Sequence, residues 1–326
     1  MNSEVIYDIS PEDVNKFSCN AVFSSPSNVV TADYHIHGKF AAIGYDDSTI
    51  SMVNTCNGRL VKTILCSKYG FSHLCYSNSE SCILCSSSKT NENQLLYLSL
   101  YDNTYIHSFT HHRNPITSIA VSPISDIVIT ADKDGYLYQW DLRSKNCQYI
   151  IRMPQYNHKP LSATLSHTGI SLGVSAESDF IHLYDIRNLK EGFYESFDIN
   201  CGQNIISNIH YSVDDTRLLV EMNAPSLPST TAKNIPHKTA IIDSILGSMI
   251  FEIEGISNPA LSPDANYLAG VQNNVYINIW KIPSNPNRTI TTLKMHTNPI
   301  NHLLWNPIYS QLLSTDKNSY LWNISV

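Results

Sequence analysis

The chain has 326 residues, 42% of them hydrophobic and 15% charged, with a formal net charge of −7. That is enough apolar material for a large continuous core, while the acidic balance and the lack of any Lys/Arg run exclude the basic footprint that direct nucleic-acid binding needs. No apolar run approaches the roughly 18 residues required to cross a bilayer.

The first residues, MNSEVIYDISPEDV, are acidic and contain no apolar stretch before a cleavage site, so no signal peptide is expected. Cytoplasm or nucleus is the expected compartment, and the sequons at Asn287 and Asn323 read as chance matches. Residues 16–24, within NKFSCNAVFS, have the composition of a strand. Further on, SCILCSSS reads as a strand too. Its Cys82 and Cys85 are three apart, on opposite faces, where they cannot share a metal. All eight cysteines are expected to be free and reduced.

From there the chain repeats. Residues 105–141, YIHSFTHHRNPITSIAVSPISDIVITADKDGYLYQWD, resolve into four short strands: YIHSF, TSIAVS, IVITA and YLYQWD. The turn-forming stretches HHRNP, SPISD and DKDG separate them. Four strands in about 40 residues, closing on Trp-Asp, mark one blade of a WD-repeat propeller. The Trp-Asp slot recurs as Val53-Asn54, Leu98-Ser99, Trp140-Asp141, Tyr184-Asp185, Ile242-Asp243, Trp280-Lys281 and Trp322-Asn323. Seven slots predict an all-β, seven-bladed β-propeller spanning residues 1–326. The interval before Ile242 is the longest, and its extra residues fall in a Pro/Ser/Thr/Asn-rich loop at about 222–238. That loop is either a tolerated insertion or a partner-binding segment. The last slot lies three residues from the end of the chain, so the last blade lacks an outer strand. Residues 16–24 are expected to supply it and close the ring.

Within the clearest unit, a hydrogen-bonded tetrad is expected to run from Trp140 through Thr130 and His112 to Asp134. No phosphate-binding Gly motif, nucleophile elbow or HExxH occurs, and Asp46-Asp47 and Asp214-Asp215 sit at turn positions. No catalytic residue, cofactor or metal site is expected, and the protein reads as a non-enzyme. A propeller enzyme or small-ligand binder with a central-channel site is a lesser alternative.

KYG (residues 68–70), the segment SSSKTNENQLLYLSLYDNTYIHSF, WDLRSKNCQ, LYDIRNLKEGFYESF and HTNPINHLLWNP add a specific resemblance. Together they resemble the WD-repeat subunit shared by the SET-domain histone methyltransferase complex (COMPASS) and the machinery of mRNA 3′-end formation and transcription termination. The YLSLYDN blade ending, with Leu98-Ser99 replacing Trp-Asp, is its most specific element. The resemblance implies a nuclear, non-catalytic scaffold, present also in the cytoplasm, monomeric within larger complexes. Its implied partners are SET-domain methyltransferase subunits and a phosphatase-targeting subunit, with no nucleic acid or membrane. The chain departs from that pattern in its longer insertion, in His111-His112 where Gly-His is usual, and in weaker matching over blades five to seven. A second resemblance lies in WDLR and YDIR, which look like the paired Asp-x-Arg boxes of substrate receptors for cullin-RING ubiquitin ligases. It implies that Arg143 and Arg187 contact a ligase adaptor. Alternatively, each arginine pairs with the Asp of its own box and braces the strand end.

Overall fold

The computed structural model describes residues 9–88, 93–152, 162–175, 178–224, 236–286 and 288–324. Asn287 and the middle of the insertion, 225–235, lie outside the described residues. The strands form seven four-stranded antiparallel sheets, six of them meanders. Six use consecutive strands, within residues 29–65, 74–109, 116–152, 162–198, 205–254 and 256–293. The seventh joins three strands within residues 302–324 to Phe17–Ser24. First strands of neighbouring blades touch around a central channel, which makes strand one innermost and strand four outermost. The molecule is a seven-bladed β-propeller.

The position of a strand within its blade shows in its burial. Second strands are covered on both faces by adjacent blades, so Ile127–Asp132 is buried almost throughout. Fourth strands face solvent on one side, and Thr104–Phe109 alternates accordingly. All seven Trp-Asp slots fall at the ends of third strands. The repeat and the blade are offset, however. Thr104–Phe109 pairs with Leu95–Ser99 and belongs to blade two, whereas blade three comprises Ile116–Val121, Ile127–Asp132, Tyr136–Asp141 and Cys147–Arg152. The 105–141 unit therefore spans two blades. Each repeat lends its opening strand to the preceding sheet and so fastens neighbours together.

Seven apolar clusters fill the seven gaps between blades. Between blades two and three, Leu84, Leu95 and Phe109 meet Ile116, Val128 and Trp140. Polar side chains of the inner strands add ties from blade to blade. Asp33 Oδ2 accepts from Tyr76 N (2.7 Å), Asn78 Nδ2 donates to Ser125 O (2.8 Å), and Ser118 Oγ donates to Ala163 O (3.0 Å). Ser162 Oγ accepts from Ile209 N (3.1 Å), and Asn258 Nδ2 donates to Ile300 O (3.0 Å). His302 Nε2 donates to Val30 O (2.7 Å), joining blade seven to blade one.

Closure uses the expected strand. Phe17–Ser24 runs antiparallel to Asn318–Ile324, with Phe17 opposite Ile324 and Ser24 opposite Asn318. Ahead of it, the short helix Pro11–Val14 is held by a capping box between Ser10 and Asp13. Val14 is fully buried, the Tyr267 hydroxyl donates to Ile9 O (2.9 Å), and Phe17 meets Trp305 edge-on at 6.0 Å. Removing residues before Ser25 strips this partner from the Asn318–Ile324 edge and opens the gap between blades six and seven. The truncated chain should lose its cooperative thermal transition or become insoluble. A soluble truncation with the melting temperature of the full chain would show that closure does not depend on this strand.

Candidate interaction surface and buried networks

The polar residues singled out in blade three divide into a buried chain and a half-buried turn. Trp140 Nε1 donates to Thr130 Oγ1 (2.8 Å), and Thr130 Oγ1 is hydrogen-bonded to His112 Nε2 (2.6 Å). Trp140 and Thr130 are fully buried, and burial beside His111 pushes the His112 imidazole down to about 3, so it stays neutral. Asp134 does not complete this chain; it accepts from Asn114 Nδ2 (2.8 Å). The inward position belongs to Asp132, the last residue of its strand and fully buried. Asp132 accepts from Asp134 N, Tyr136 N and the Tyr138 hydroxyl, while His112 Nδ1 has no hydrogen-bond partner.

Blade seven brings an aspartate up against the histidine, an arrangement the sequence reading missed. Trp322 Nε1 donates to Ser314 Oγ (2.7 Å), Ser314 Oγ is hydrogen-bonded to His296 Nε2 (2.6 Å), and His296 Nδ1 lies 3.1 Å from Asp316 Oδ2. The spacing from His296 to Ser314 to Asp316 equals that from His112 to Thr130 to Asp132, which was the available signal. Serine, histidine and aspartate in this order have the composition of a hydrolytic triad. Here the His296 and Asp316 side chains and Ser314 are wholly buried, and the Ser314 oxygen already accepts from an indole. No substrate can reach that hydroxyl, so the network serves packing.

Arg143 and Arg187 occupy equivalent places after the third strands of blades three and four. Each makes a two-pronged fork with its own box: Arg143 Nε and Nη2 donate to Asp141 at 2.9 and 2.8 Å, and Arg187 Nε and Nη2 to Asp185 at 2.9 and 2.6 Å. The guanidiniums hold Asp141 below the usual carboxylate range and Asp185 down to about 2. Both arginine side chains stay largely exposed, 74% and 69%. The turns after first and third strands share one face of the propeller by the meander's alternation. On that face Ile124 (69% exposed) and Ile170 (43%) flank the forks, with Ile124 packed on Gly169. Arginine beside exposed aliphatic side chains is the composition of protein-binding surfaces.

The central channel, about 680 Å³, is lined by first-strand residues of every blade. Two carboxylates reach it. Burial raises Asp33 to about 6 against the hydrogen bond from Tyr76 N, and raises Glu221 to about 7 against one from Asn208. His73, His210 and His302 also line it, each pushed down by burial. None of the channel's charged groups was flagged in the sequence. Their signal is weak, since an acid on an inner strand resembles any other strand position. Among the described residues, no group of three or more His, Cys, Asp or Glu side chains is arranged to hold a metal ion.

Comparison with known proteins agrees with this architecture. Residues 103–141 match the family model described as WD domain, G-beta repeat. The chain is 23% identical to WD repeat-containing protein 82 of Drosophila melanogaster, covering 95% of both chains. It is 25% identical to Set1 complex component swd2 of Schizosaccharomyces pombe, covering 78% of this chain and 71% of that protein. The β-propeller domain of Cps50 (Swd1) from Myceliophteria thermophila superposes with a TM-score of 0.75 at 15% identity, covering 95% of this chain and all of that one. The chain is thus a seven-bladed propeller with one WD-domain match, and it is similar over most of its length to WD repeat-containing protein 82 and to a Set1 complex component.

Two measurements probe the buried groups. Thr130→Val keeps the shape of the side chain but leaves Trp140 Nε1 and His112 Nε2 unpaired. It should cost about 2–3 kcal/mol in urea titrations, and Asp132→Ala should cost more than Asp134→Ala. Equal losses for the two aspartates would contradict the assignment. Asp33 gives a pH signature. Its native pKa lies above the unfolded one, so the native state holds a proton the unfolded chain has lost between pH 4 and 6. Stability therefore falls as pH rises through that window and stays lowered above it. Asp33→Asn keeps the acceptor for Tyr76 N. It should match the parent at pH 4 and gain up to about 3 kcal/mol at pH 7.5. A variant that is less stable at pH 7.5 would show that the ionised form is the favoured one.

Proposed function

We propose that this chain is a non-catalytic scaffold, a subunit that helps assemble a nuclear SET-domain histone methyltransferase complex or the related transcription-termination machinery. The observation that carries the reading is the similarity to a Set1 complex component across most of the chain, on a propeller whose blades follow the same repeat. The buried state of the His296–Ser314–Asp316 constellation supports it, because this hydrolase-like arrangement is spent on packing. The exposed face around Arg143, Arg187, Ile124 and Ile170 offers a surface of the right kind for a protein partner.

A second reading, a substrate receptor of a cullin-RING ligase, is favoured by one feature. The two Asp-Arg forks sit at matching positions on adjacent blades and expose both guanidiniums on one face. Each guanidinium has donors to spare beyond its Asp, so a partner acceptor can join without breaking the fork. One purification separates the readings. Tagged chain recovered from nuclei should bring down a SET-domain methyltransferase, and Arg143→Ala/Arg187→Ala should keep the parental melt. Recovery of a cullin adaptor instead, weakened tenfold or more by the double variant, would replace the scaffold reading with the ligase one.

A further inference from the structure

Blade five carries a long acidic side chain where four other blades carry nothing larger than threonine. The position is set by the residue three places before the end of each first strand and its partner on the second strand. Opposite Thr31, Ser118, Ser162 and His302 stand Gly44, Ala131, Ser175 and Thr315. The matching pair in blade five is Asn208 and Glu221. Glu221 lines the central channel and is half-buried there. Closure of the ring does not account for it. The Ile209 N–H, next along the inner strand, is already taken by Ser162. Among the described residues the Glu221 carboxylate caps no backbone N–H and makes no salt bridge. Its hydrogen bond comes from the side chain of Asn208, which also meets His210 Nε2 at 2.9 Å.

The neighbouring blade is irregular at the same place. Leu219, two residues earlier on the same face of the strand, packs with Ile256 and Leu268 of blade six. Glu221 is therefore aimed at the inner strand of that blade. That strand breaks its register between Ser257 and Ala260, and Asn258 takes a φ of +47°. Asn258 and Pro259 line the channel, so the bulge bends the strand beside the one long acidic side chain at this position.

The charges do not cancel. Among the described residues Asp33 and Glu221 are the carboxylates on the channel wall, and no Lys or Arg lines it. Burial pushes His73, His210 and His302 down, toward neutral imidazoles. Asp33 belongs to blade one, three blades from blade five, which is as far across as a ring of seven allows. The wall also carries apolar side chains, Ile119, Leu219 and Leu303 among them. A divalent metal would need more ligands than any group of side chains there offers. Two acids on facing sides of a partly apolar cavity of about 680 Å³ suit an organic cation instead. We propose that the channel binds a small aliphatic diamine or polyamine, with one ammonium group on Glu221, a second toward Asp33 and the methylene chain along the apolar wall. The site lies inside the ring, so it stands whether or not the outer surfaces serve the complexes considered above.

The probe is spermidine, measured by equilibrium dialysis against the full chain at pH 7.5 and low salt. One saturable site is expected. Glu221→Gln should weaken it tenfold or more and Asp33→Asn severalfold, with the melting temperature of neither variant lowered. Butylamine and an acetyl-Gly-Lys-Gly-amide peptide, each with a single ammonium group, should bind at least tenfold more weakly than spermidine. The chain has a net charge of −7, so loose surface attraction is the competing outcome, and it would leave both variants binding like the parent. That result, a single-charge probe binding as tightly as spermidine, or no binding at millimolar spermidine each overturns the proposal. Nuclear purification reads the identity of the complex and can fail while spermidine still binds.

Discussion

Every blade ends inward on a strand whose outer neighbour is paired and whose inner edge is not. Seven such edges converge on one axis, and the backbone groups along them cannot all be left to water. The structure meets this constraint with side chains from the adjacent blade: an aspartate, a serine and a histidine in different gaps, each reaching a backbone group of the neighbouring inner strand. Much of the polar content of the inner strands follows from it. Asp33 illustrates the consequence, since the carboxylate that caps Tyr76 N must be carried into a poorly solvated channel wall, where it holds its proton to unusually high pH. A carboxylate with a raised pKa in a cavity invites a catalytic reading. Here the geometry of closure explains it without one.

The fold was legible because its two strongest signals do not depend on detail. The Trp-Asp slot survives as a position even where both residues have changed, as at Val53-Asn54 and Leu98-Ser99, since the end of a third strand must occur once per blade. The closing strand was legible as the strand-like stretch ahead of the first blade, residues 16–24. Partition of strands among blades was not legible, because hydrogen bonding, not proximity in sequence, decides which sheet Thr104–Phe109 joins. The turn ADKDG offers two aspartates two residues apart, and only the point at which the strand ends selects Asp132 over Asp134. Blade seven has the same spacing with a single aspartate, which made it the cleaner template.

The candidate surfaces were half legible. Arg143 and Arg187 stood out by motif, and the structure places them on one face with their forks formed and their outer surfaces open. The neighbouring Ile124 and Ile170 carry no motif, because a turn isoleucine is informative only when it is seen to be exposed. Repetition makes a propeller easy to recognise and masks the positions where one blade departs from the rest.

The closing strand also sets an order in time. Phe17–Ser24 leaves the ribosome roughly 300 residues ahead of its partner Asn318–Ile324. At roughly 5–20 residues per second, the first strand waits on the order of 15–60 s for its mate. Throughout that interval the nascent chain displays an unmatched strand beside a growing stack of blades. The mature ring has no such loose end, but its biogenesis does, and the hazard of mispairing with a second nascent copy is concentrated there.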